Sequence, residues 1–151
     1  MLDSAALFPL IPPGSRVLVD LGSGAGFPGL VLAIMGVSEV HLIDSDARKC
    51  AFLLEASRRY APGAKIHRGR IEDMAPIAAD VVTARALSEL DKLLSYAARF
   101  LAPEGVCLFL KGARAEDELT QARRRWTMQA ERFPNPSDST GIILRIKGLT
   151  Q

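Results

Sequence analysis

Cysteines and long hydrophobic runs are scarce in this 151-residue sequence. No uncharged apolar run is long enough to span a membrane, and residues 1–15 lack the basic start and long apolar centre of a signal peptide. The two cysteines, Cys50 and Cys107, fall in a helical and a strand pattern with no histidine pair nearby, which argues against a disulfide or a metal site. We therefore expect a cytoplasmic protein with no bound metal and no membrane partner.

Charge and length restrict the protein further. A net charge of +2 permits a nucleic-acid partner without requiring one, because a local basic patch matters more than the total. With 48% hydrophobic residues and no biased repeat, the chain has the composition of an ordinary globular protein. Its length suits one domain, with a sheet covered by helices on both faces, and leaves no room for a second core.

A glycine-rich turn follows the first strand pattern of the chain. Residues 20–29 read Asp-Leu-Gly-Ser-Gly-Ala-Gly-Phe-Pro-Gly, and the preceding Val17–Val19 is apolar on both faces, as a central strand requires. Gly22 and Gly24 let the backbone turn sharply and leave its N–H groups uncovered, which makes them candidates for cofactor binding. Strand, turn and the apolar run Leu30–Met35 predict the first half of a nucleotide-binding βαβ unit, with a purely structural turn as the alternative.

Two aspartates indicate which nucleotide the turn binds. Asp20 precedes the first glycine by two residues, so its carboxylate should face the place where a dinucleotide puts its pyrophosphate. An anion fits poorly there, whereas a ligand with an amino group and a sulfonium fits well. Asp44 ends the next apolar segment at the spacing typical of an acid that binds both ribose hydroxyls of adenosine. The pair predicts S-adenosylmethionine as cofactor, unless either acid is only a helix cap or turn residue.

Strand and helix patterns alternate along the rest of the chain. Further strands are predicted at Val40–Asp44, Lys65–Arg68, Asp80–Arg85 and Val106–Leu110, followed by a terminal hairpin of Met128–Phe133 and Ile142–Ile146. Alternation of this kind predicts a mostly parallel, seven-stranded sheet with a C-terminal antiparallel hairpin and helices on both faces. His41 and His67 fall within predicted strands and are interpreted as core or strand-end residues, with a ligand role as the alternative.

Several details of the helices are predicted from local signals. Ser45 or Asp46 is expected to cap a helix with an apolar face of Ala47, Cys50, Leu53, Leu54 and Tyr60. Ser88 and Asp91 have the spacing of a capping box for the next helix, and Pro103–Gly105 forms the turn after it. A further helix runs over Ala115–Arg125. Its arginine run, Arg123–Arg125 beside Trp126, is either a solvated helix end or an RNA contact.

Five segments together resemble a known family: Asp20–Gly29, Leu42–Ser45, Gly69–Asp73, Val82–Ala86 and Leu110–Gly112. They resemble the RsmG (also called GidB) family of S-adenosylmethionine-dependent methyltransferases, which modify the N7 position of a guanine in small-subunit ribosomal RNA. The resemblance covers nearly the whole chain and implies an α/β, Rossmann-like class I methyltransferase fold. It also implies cofactor contacts at Gly22, Phe27, Ile71 with Glu72, and Arg85. Phe27 could equally seal a helix against the sheet.

Within this resemblance, the chain divides into three parts of one methyltransferase domain, residues 1–151. Residues 1–14 look like the end of a truncated N-terminal helical segment, which the family usually carries ahead of the sheet. Residues 16–112 form the cofactor-binding core, and residues 113–151 a helix plus the hairpin. Small-subunit ribosomal RNA or the small ribosomal subunit is the expected partner of a monomeric protein.

The chemistry implied by the family needs few side chains. The N7 of guanine has a lone pair and no proton, so it can attack a sulfonium methyl directly, and catalysis would consist mostly of placing the reactants in line. Arg85 and Lys111, both at the carboxyl edge of the sheet, are the best candidates for catalytic residues, because basic side chains commonly donate to guanine O6 or to phosphate. Alternatively, Arg85 is paired with Asp44, Glu72 or a cofactor carboxylate, and Lys111 only caps a strand.

Two other functions stay open from the sequence. A nicotinamide-dependent oxidoreductase agrees with the Gly-x-Gly-x-x-Gly pattern at residues 24–29 and with Asp44. It disagrees with Asp20 and with a chain too short for a substrate domain. A non-catalytic ribosome-binding module with a retained cofactor pocket is favoured by the short N-terminal segment, and opposed by the full set of pocket residues.

Overall fold

Seven strands form one sheet in the computed structural model, which describes residues 2–85 and 87–151. The strands are β1 (Val17–Leu21), β2 (Glu39–Asp44), β3 (Lys65–Arg68), β4 (Ala79–Arg85), β5 (Leu101–Lys111), β6 (Thr127–Pro134) and β7 (Ile142–Thr150). The helices are α1 (Leu2–Ala5), α2 (Gly29–Ile34), α3 (Ala47–Tyr60), α4 (Leu90–Ala97) and α5 (Ala115–Ala122). Short 3₁₀ helices lie at Phe8–Leu10 and Ile71–Asp73. Met1 of the predicted N-terminal helix and Ala86 of the segment Val82–Ala86 lie outside the described residues.

The order of the strands places a crevice at the centre of the sheet. From one edge to the other the order is β3-β2-β1-β4-β5-β7-β6, with β1 to β5 parallel and β7 antiparallel to both neighbours. The direction of winding reverses between β1 and β4, because the chain moves outward from β1 to β3 and then returns to the other side of β1. In open α/β sheets, ligands bind outside the carboxyl ends of the strands at such a reversal. This confirms the predicted parallel sheet and its C-terminal hairpin.

The two faces of the sheet each have their own hydrophobic core, as predicted for helices on both sides. β1 contributes to both, because successive side chains of a strand point to opposite faces. Val19 packs with Leu93 and Trp126 on one face, whereas Leu18 packs with Leu30 and Leu53 on the other. β1 is apolar on both faces because each of its faces is buried in one of the two cores.

The apolar face predicted for α3 is wrong in part. Cys50, Leu53 and Ser57 are its buried residues, whereas Leu54 and Tyr60 are 52% and 62% exposed, and Ala47 is exposed as well. Positions 50, 53 and 57 form one narrow stripe, and a helix that touches the sheet along a single line buries no more than this. Asp46, one of the two predicted caps, accepts hydrogen bonds from the backbone N–H groups of residues 48 and 49.

The predicted start of α4 and the turn after it also differ from the structure. The capping box does not form: Glu89 is the N-cap residue, without a side-chain hydrogen bond, and the N–H of Leu90 donates to Glu118 Oε1 at 2.9 Å. A carboxylate from α5 thus replaces the local cap. The segment Pro103–Gly105, predicted as a turn, lies inside β5, where the pairing with β4 shifts between Ala79 and Val81.

Other predicted features lie in ordinary structural surroundings. Cys50 and Cys107 are free and buried. His41 is buried, and its two ring nitrogens contact His67 Nε2 at 2.9 Å and Glu39 Oε2 at 2.7 Å. Among residues 2–85 and 87–151, no group of side chains has the arrangement of a metal site. No helix in the same residues is long and apolar enough to cross a membrane.

Candidate active site

The glycine turn after β1 is held in place by its backbone conformation and by hydrogen bonds to the end of β2. Gly22 and Gly24 have φ angles of 67° and 55°, in the left-handed region that glycine adopts without strain. Between them, the N–H of Ser23 donates to the carbonyl of Ile43 at 3.0 Å and so joins the turn to the end of β2. The turn therefore lies over the carboxyl ends of β1 and β2.

Asp20 lies beneath the turn and is fully buried. Its Oδ1 accepts a hydrogen bond of 2.6 Å from the hydroxyl of Thr83 on β4, while Oδ2 has no hydrogen-bond partner among the described residues. Burial raises the pKa of Asp20 from its ordinary value of 3.8 to about 6, against the hydrogen bond from Thr83, which lowers the pKa. At neutral pH the site thus holds a poorly compensated negative charge directly behind the glycine turn.

The helix behind this turn needs glycine at position 29. A Cβ atom there would lie 2.6 Å from Asp20 Oδ2 and 2.5 Å from a methyl carbon of Leu42. Both distances are shorter than any carbon contact tolerates. Gly29 thereby allows α2 to approach β1 and β2 closely, which is the packing role of the last glycine in nucleotide-binding turns.

Asp44, at the end of β2, is oriented by two backbone N–H groups. Its Oδ2 accepts from Gly24 at 2.8 Å, and its Oδ1 accepts from Asp46 at 2.9 Å. A carboxylate oxygen has about two acceptor positions. Each oxygen of Asp44 therefore has one position left for a further donor, and the side chain is only partly buried.

Asp44 faces a cavity of about 470 Å³ that we term the Asp44 cavity. Its lining includes Gly22, Asp44 and the segment Gly69–Glu72 on one side, and Leu87, Ser88, Lys92 and Tyr96 on the other. Ile71 and Glu72, which the family resemblance implies as cofactor contacts, both lie on its wall. Glu72 also forms an ion pair of 3.3 Å with Arg70. A hydrogen bond from its own backbone N–H and the ion pair with Arg70 lower the pKa of Glu72.

A second cavity, of about 490 Å³, adjoins the first at Gly22; we term it the Arg85 cavity. It is lined by Gly22, Ser23, Gly24, Ala25, Phe27 and Arg85. Phe27 is half-buried at its wall, which agrees with the interpretation that its ring contacts ligand. A ligand that spans both cavities has to pass over Gly22. Leu87 covers the turn there, because a Cβ atom at position 22 would lie 2.8 Å from its Cδ1.

Arg85 is paired with a residue that the sequence did not suggest. Its Nη2 lies 2.9 Å from Oδ2 of Asp3, and the arginine side chain is 45% exposed while that of Asp3 is 5% exposed. Of the partners considered from sequence, Asp44 and Glu72 form no ion pair with Arg85. The guanidinium is thus anchored on one side by α1 and remains accessible from the Arg85 cavity.

Lys111 is placed differently from the prediction of a catalytic residue. Its side chain is 4% exposed, and its ammonium lies 2.8 Å from Glu118 Oε1 and donates to the carbonyl of Ser88 at 2.9 Å. Glu118 Oε1 also accepts from Leu90. Lys111 therefore connects β5 to α5 and to the segment before α4, and it lines neither cavity. This geometry favours a structural role over a contact with RNA.

The arginine run at the end of α5 takes part in the fold. Trp126 is buried, and its indole N–H donates to Asp91 Oδ1 at 2.9 Å. Arg125 also pairs with Asp91 at 3.0 Å, and Arg123 donates to the carbonyl of Met128. The helix ends at Ala122, before the run. Arg123 and Arg125 thus contact the rest of the fold, which departs from the predicted solvated helix end and argues against the predicted RNA contact.

Sequence reasoning missed several residues of the site. Asp3, Ser88, Lys92 and Tyr96 come from helices or their ends, and their patterns are those of ordinary capped or amphipathic segments. Lys92 lies 5.7 Å from the ring of Tyr96, a spacing of four residues on α4. The packing of α4 brings Ser88, Lys92 and Tyr96 to the Asp44 cavity, and the packing of α1 brings Asp3 to Arg85.

Comparison with known proteins gives a consistent result for nearly the whole chain. The sequence model of the GidB family, described as rRNA small subunit methyltransferase G, matches residues 1–143. The chain is 60% identical over 144 residues to a protein of Rhodospirillum centenum named ribosomal RNA small subunit methyltransferase G. That match covers 95% of this chain and 67% of the relative. A protein of the same name from Paramagnetospirillum magneticum is 55% identical over 151 residues, with coverage of 100% and 74%.

The fold itself is shared with more distant proteins. The crystal structure of a TehB-like SAM-dependent methyltransferase from Corynebacterium glutamicum aligns with a TM-score of 0.74 at 18% identity. The alignment covers 97% of this chain and 88% of that chain. At this identity the likeness concerns the fold alone, and it confirms the predicted Rossmann-like methyltransferase architecture.

Proposed function

The chain belongs to the rRNA small subunit methyltransferase G family, and on this premise we propose that it transfers a methyl group from S-adenosylmethionine to the N7 of a guanine in small-subunit ribosomal RNA. One observation carries the proposal. The Asp44 cavity and the Arg85 cavity share Gly22 in their walls, so an elongated ligand that displaces the Leu87 side chain from the turn can extend from a carboxylate at one end to a guanidinium at the other.

The residues around the turn fit such a ligand. The buried Oδ2 of Asp20, which has no hydrogen-bond partner among the described residues, and the pKa of this carboxyl, raised by burial, support a weakly compensated negative charge behind the turn. A cationic ligand in front of the turn would compensate it, as the sulfonium and ammonium of S-adenosylmethionine can. Asp44, with one free acceptor position on each oxygen, suits two neighbouring hydroxyl groups. Gly22, Gly24, Phe27, Ile71 and Glu72 would complete the contacts.

The residues of the Arg85 cavity meet the demands of the reaction. When bound, S-adenosylmethionine supplies a methyl group that is electrophilic because it is attached to a sulfonium. The guanine N7 carries a lone pair and no proton, so its attack requires no general base. The accessible guanidinium of Arg85 can donate to guanine O6 or to a neighbouring phosphate and hold the base in line. For Lys111 we propose a role in positioning Ser88 and α4, since its ammonium is buried.

The proposal also covers the RNA substrate, the location of the protein and the organisation of its domain. The substrate would be the small ribosomal subunit or its RNA, and the protein a cytoplasmic monomer built as a single domain. Within that domain, residues 16–112 would bind the cofactor, while residues 113–151 would close the sheet. The nicotinamide-dependent oxidoreductase considered from sequence has no support from the relatives, which are named methyltransferases.

Methyl transfer from labelled S-adenosylmethionine to small ribosomal subunits that lack the modification tests this function. The RNA is then digested and its nucleosides are identified by mass spectrometry. Label in 7-methylguanosine is the expected result, and label in another nucleoside would contradict the N7 assignment. Cofactor binding measured by calorimetry serves as the parallel control. Binding without transfer to any RNA would favour the alternative of a non-catalytic ribosome-binding module.

A further inference from the structure

An exposed aromatic side chain lies beside the glycine turn and takes no part in the cofactor contacts proposed above. Phe52, near the middle of α3, is 52% exposed. It lines a shallow cavity of about 270 Å³ together with Gly24, Ala25, Arg48 and Lys49. Gly24 and Ala25 also line the Arg85 cavity. We term the group Ala25, Arg48, Lys49 and Phe52 the Phe52 surface; it borders directly on the place proposed for methyl transfer.

The charge of the Phe52 surface is positive. Arg48 and Lys49 precede Phe52 by four and three residues, so all three side chains share one face of α3. Within the described part of the chain, neither cation forms an ion pair with a carboxylate. Asp46, the acid at the start of the same helix, uses its carboxylate to accept the backbone N–H groups of residues 48 and 49, and these hydrogen bonds lower its pKa. The two cations are thus free to meet phosphates of a bound strand.

Methylation of guanine N7 in RNA also requires a surface that binds unpaired nucleotides. In double-stranded RNA the N7 of guanine faces a deep, narrow groove that side chains cannot enter. An enzyme that methylates N7 in RNA therefore needs its guanine in an unpaired segment, whose neighbouring bases are unstacked. Proteins hold such bases by stacking them on aromatic rings, with basic side chains along the backbone.

We propose that the Phe52 surface binds the single-stranded segment next to the target guanine, with one base stacked on Phe52 and the adjoining phosphates paired with Arg48 and Lys49. This inference rests on the proposed function, since it assumes an RNA substrate. Exposure alone does not single out Phe52, because Leu54 on the same helix is equally exposed at 52%. Phe52 differs from Leu54 in its aromatic ring, and the cavity that it lines with two cations shares Gly24 and Ala25 with the Arg85 cavity.

Leu54 provides the matched control for the test. Binding of a fluorescein-labelled single-stranded RNA oligonucleotide is measured by anisotropy for the intact chain and for Phe52→Ala, Phe52→Trp and Leu54→Ala. Phe52→Ala should weaken binding by about 5- to 100-fold, the range found when a stacking aromatic is truncated. Phe52→Trp should bind at least as well as the unchanged protein, and Leu54→Ala should stay within about twofold of it, because surface changes away from a contact have small effects. Circular dichroism checks that each variant is folded.

Methyl-transfer kinetics separate this inference from the function on which it rests. Phe52→Ala should raise KM for small ribosomal subunits while kcat and the Kd of S-adenosylmethionine stay unchanged. Equal RNA affinity of Phe52→Ala and Leu54→Ala would overturn the inference, even if methyl transfer is normal. Loss of a protein partner with unchanged RNA affinity would overturn it as well. Absence of methyl transfer by the unchanged chain would refute the proposed function, whereas the oligonucleotide assay would still decide the role of Phe52.

Discussion

The guanidinium of Arg85 lies 2.9 Å from the carboxylate of Asp3, so the last residue of β4 is held by the helix α1 near the start of the sequence. Arg85 itself faces the Arg85 cavity, whereas Asp3 is buried behind it. The pair links the N-terminal segment to the proposed reaction site. It also suggests that changes in α1 alter activity without contact to cofactor or RNA.

The first prediction concerns Arg85. Arg85→Ala should reduce the rate of methyl transfer more than about tenfold while the protein stays folded. The reason is that a charged hydrogen-bond donor to the substrate contributes about 1.5–3 kcal/mol to binding. Methyl transfer at saturating cofactor measures the effect. Arg132→Ala on β6, where the arginine forms an exposed ion pair with Glu116 of α5, is the control and should leave turnover unchanged. Near-normal turnover of Arg85→Ala would show that Arg85 is not part of the active site.

The second prediction concerns Asp3 as a residue that positions Arg85. Asp3→Asn should lower kcat less than Arg85→Ala does, because it frees the guanidinium without removing it. In the double variant the two effects should not add, since residues that act through one another are energetically coupled. A double-mutant cycle on kcat, with Tm as a measure of folding, checks this. Simple additivity would show that Asp3 only stabilises the fold.

The third prediction concerns Asp44. Asp44→Ala should weaken binding of S-adenosylmethionine by about 1.5–3 kcal/mol, the range for hydrogen bonds to a charged group. Calorimetric titration of the folded variant gives this number directly. Asp80 offers a control, because its carboxylate also accepts two backbone N–H groups, from Arg16 and Val17, but at the opposite end of the sheet. Equal cofactor affinity in Asp44→Ala and the unchanged protein would place the ribose elsewhere.

The fourth prediction concerns stability and pH at Asp20. Its folded pKa of about 6 exceeds the ordinary 3.8, so between these pH values the folded state binds more protons than the unfolded state. The contribution of this carboxyl to stability is therefore complete below about pH 4 and lost as pH rises through 6. Asp20→Asn removes the buried charge and should stabilise the protein at pH 7 by about 1–3 kcal/mol.

Denaturant unfolding of both proteins from pH 4 to pH 8 checks this dependence. The advantage of Asp20→Asn should grow from pH 4 to pH 6 and then level off. Cofactor binding should become weaker in the same variant, because the charge that attracts the ligand is lost. A destabilised Asp20→Asn protein at pH 7 would show that the carboxylate is compensated in the folded protein.

The fifth prediction separates a structural from a catalytic role of Lys111. Lys111→Met leaves Glu118 in a mostly buried position without its cation, and breaking such a pair destabilises a protein by about 3–5 kcal/mol. Adding Glu118→Gln should recover part of this loss, because no unpaired charge is left. Tm and denaturant midpoints measure both variants. If Lys111→Met keeps its stability but loses turnover, the original prediction of a catalytic residue holds instead.

Sequence and structure agree best where short-range patterns decide the outcome. The strand of residues 17–21, the glycine turn after it and the acid at the end of β2 follow from local rules of apolar periodicity and backbone freedom. The order of the strands and the terminal hairpin follow from the same rules, whereas β5 begins at Leu101, ahead of the predicted Val106, and β7 continues to Thr150, beyond the predicted Ile146. By contrast, the capping box at Ser88 was wrong, because a carboxylate from α5 satisfies the N–H of Leu90 in its place.

By itself, the sequence determined the parallel α/β sheet, the place of the glycine turn and the family to which the chain belongs, since these depend on residue order and spacing. Only the tertiary structure decided the partners of the charged residues. It paired Arg85 with Asp3 and buried Lys111 against Glu118, and it left Phe52 exposed at the edge of the site. The physical reason is that hydrophobic periodicity in the sequence indicates which face of a helix or strand is apolar. A charged side chain, by contrast, pairs with an opposite charge that tertiary packing places within a few ångströms, and the sequence does not show which one that is.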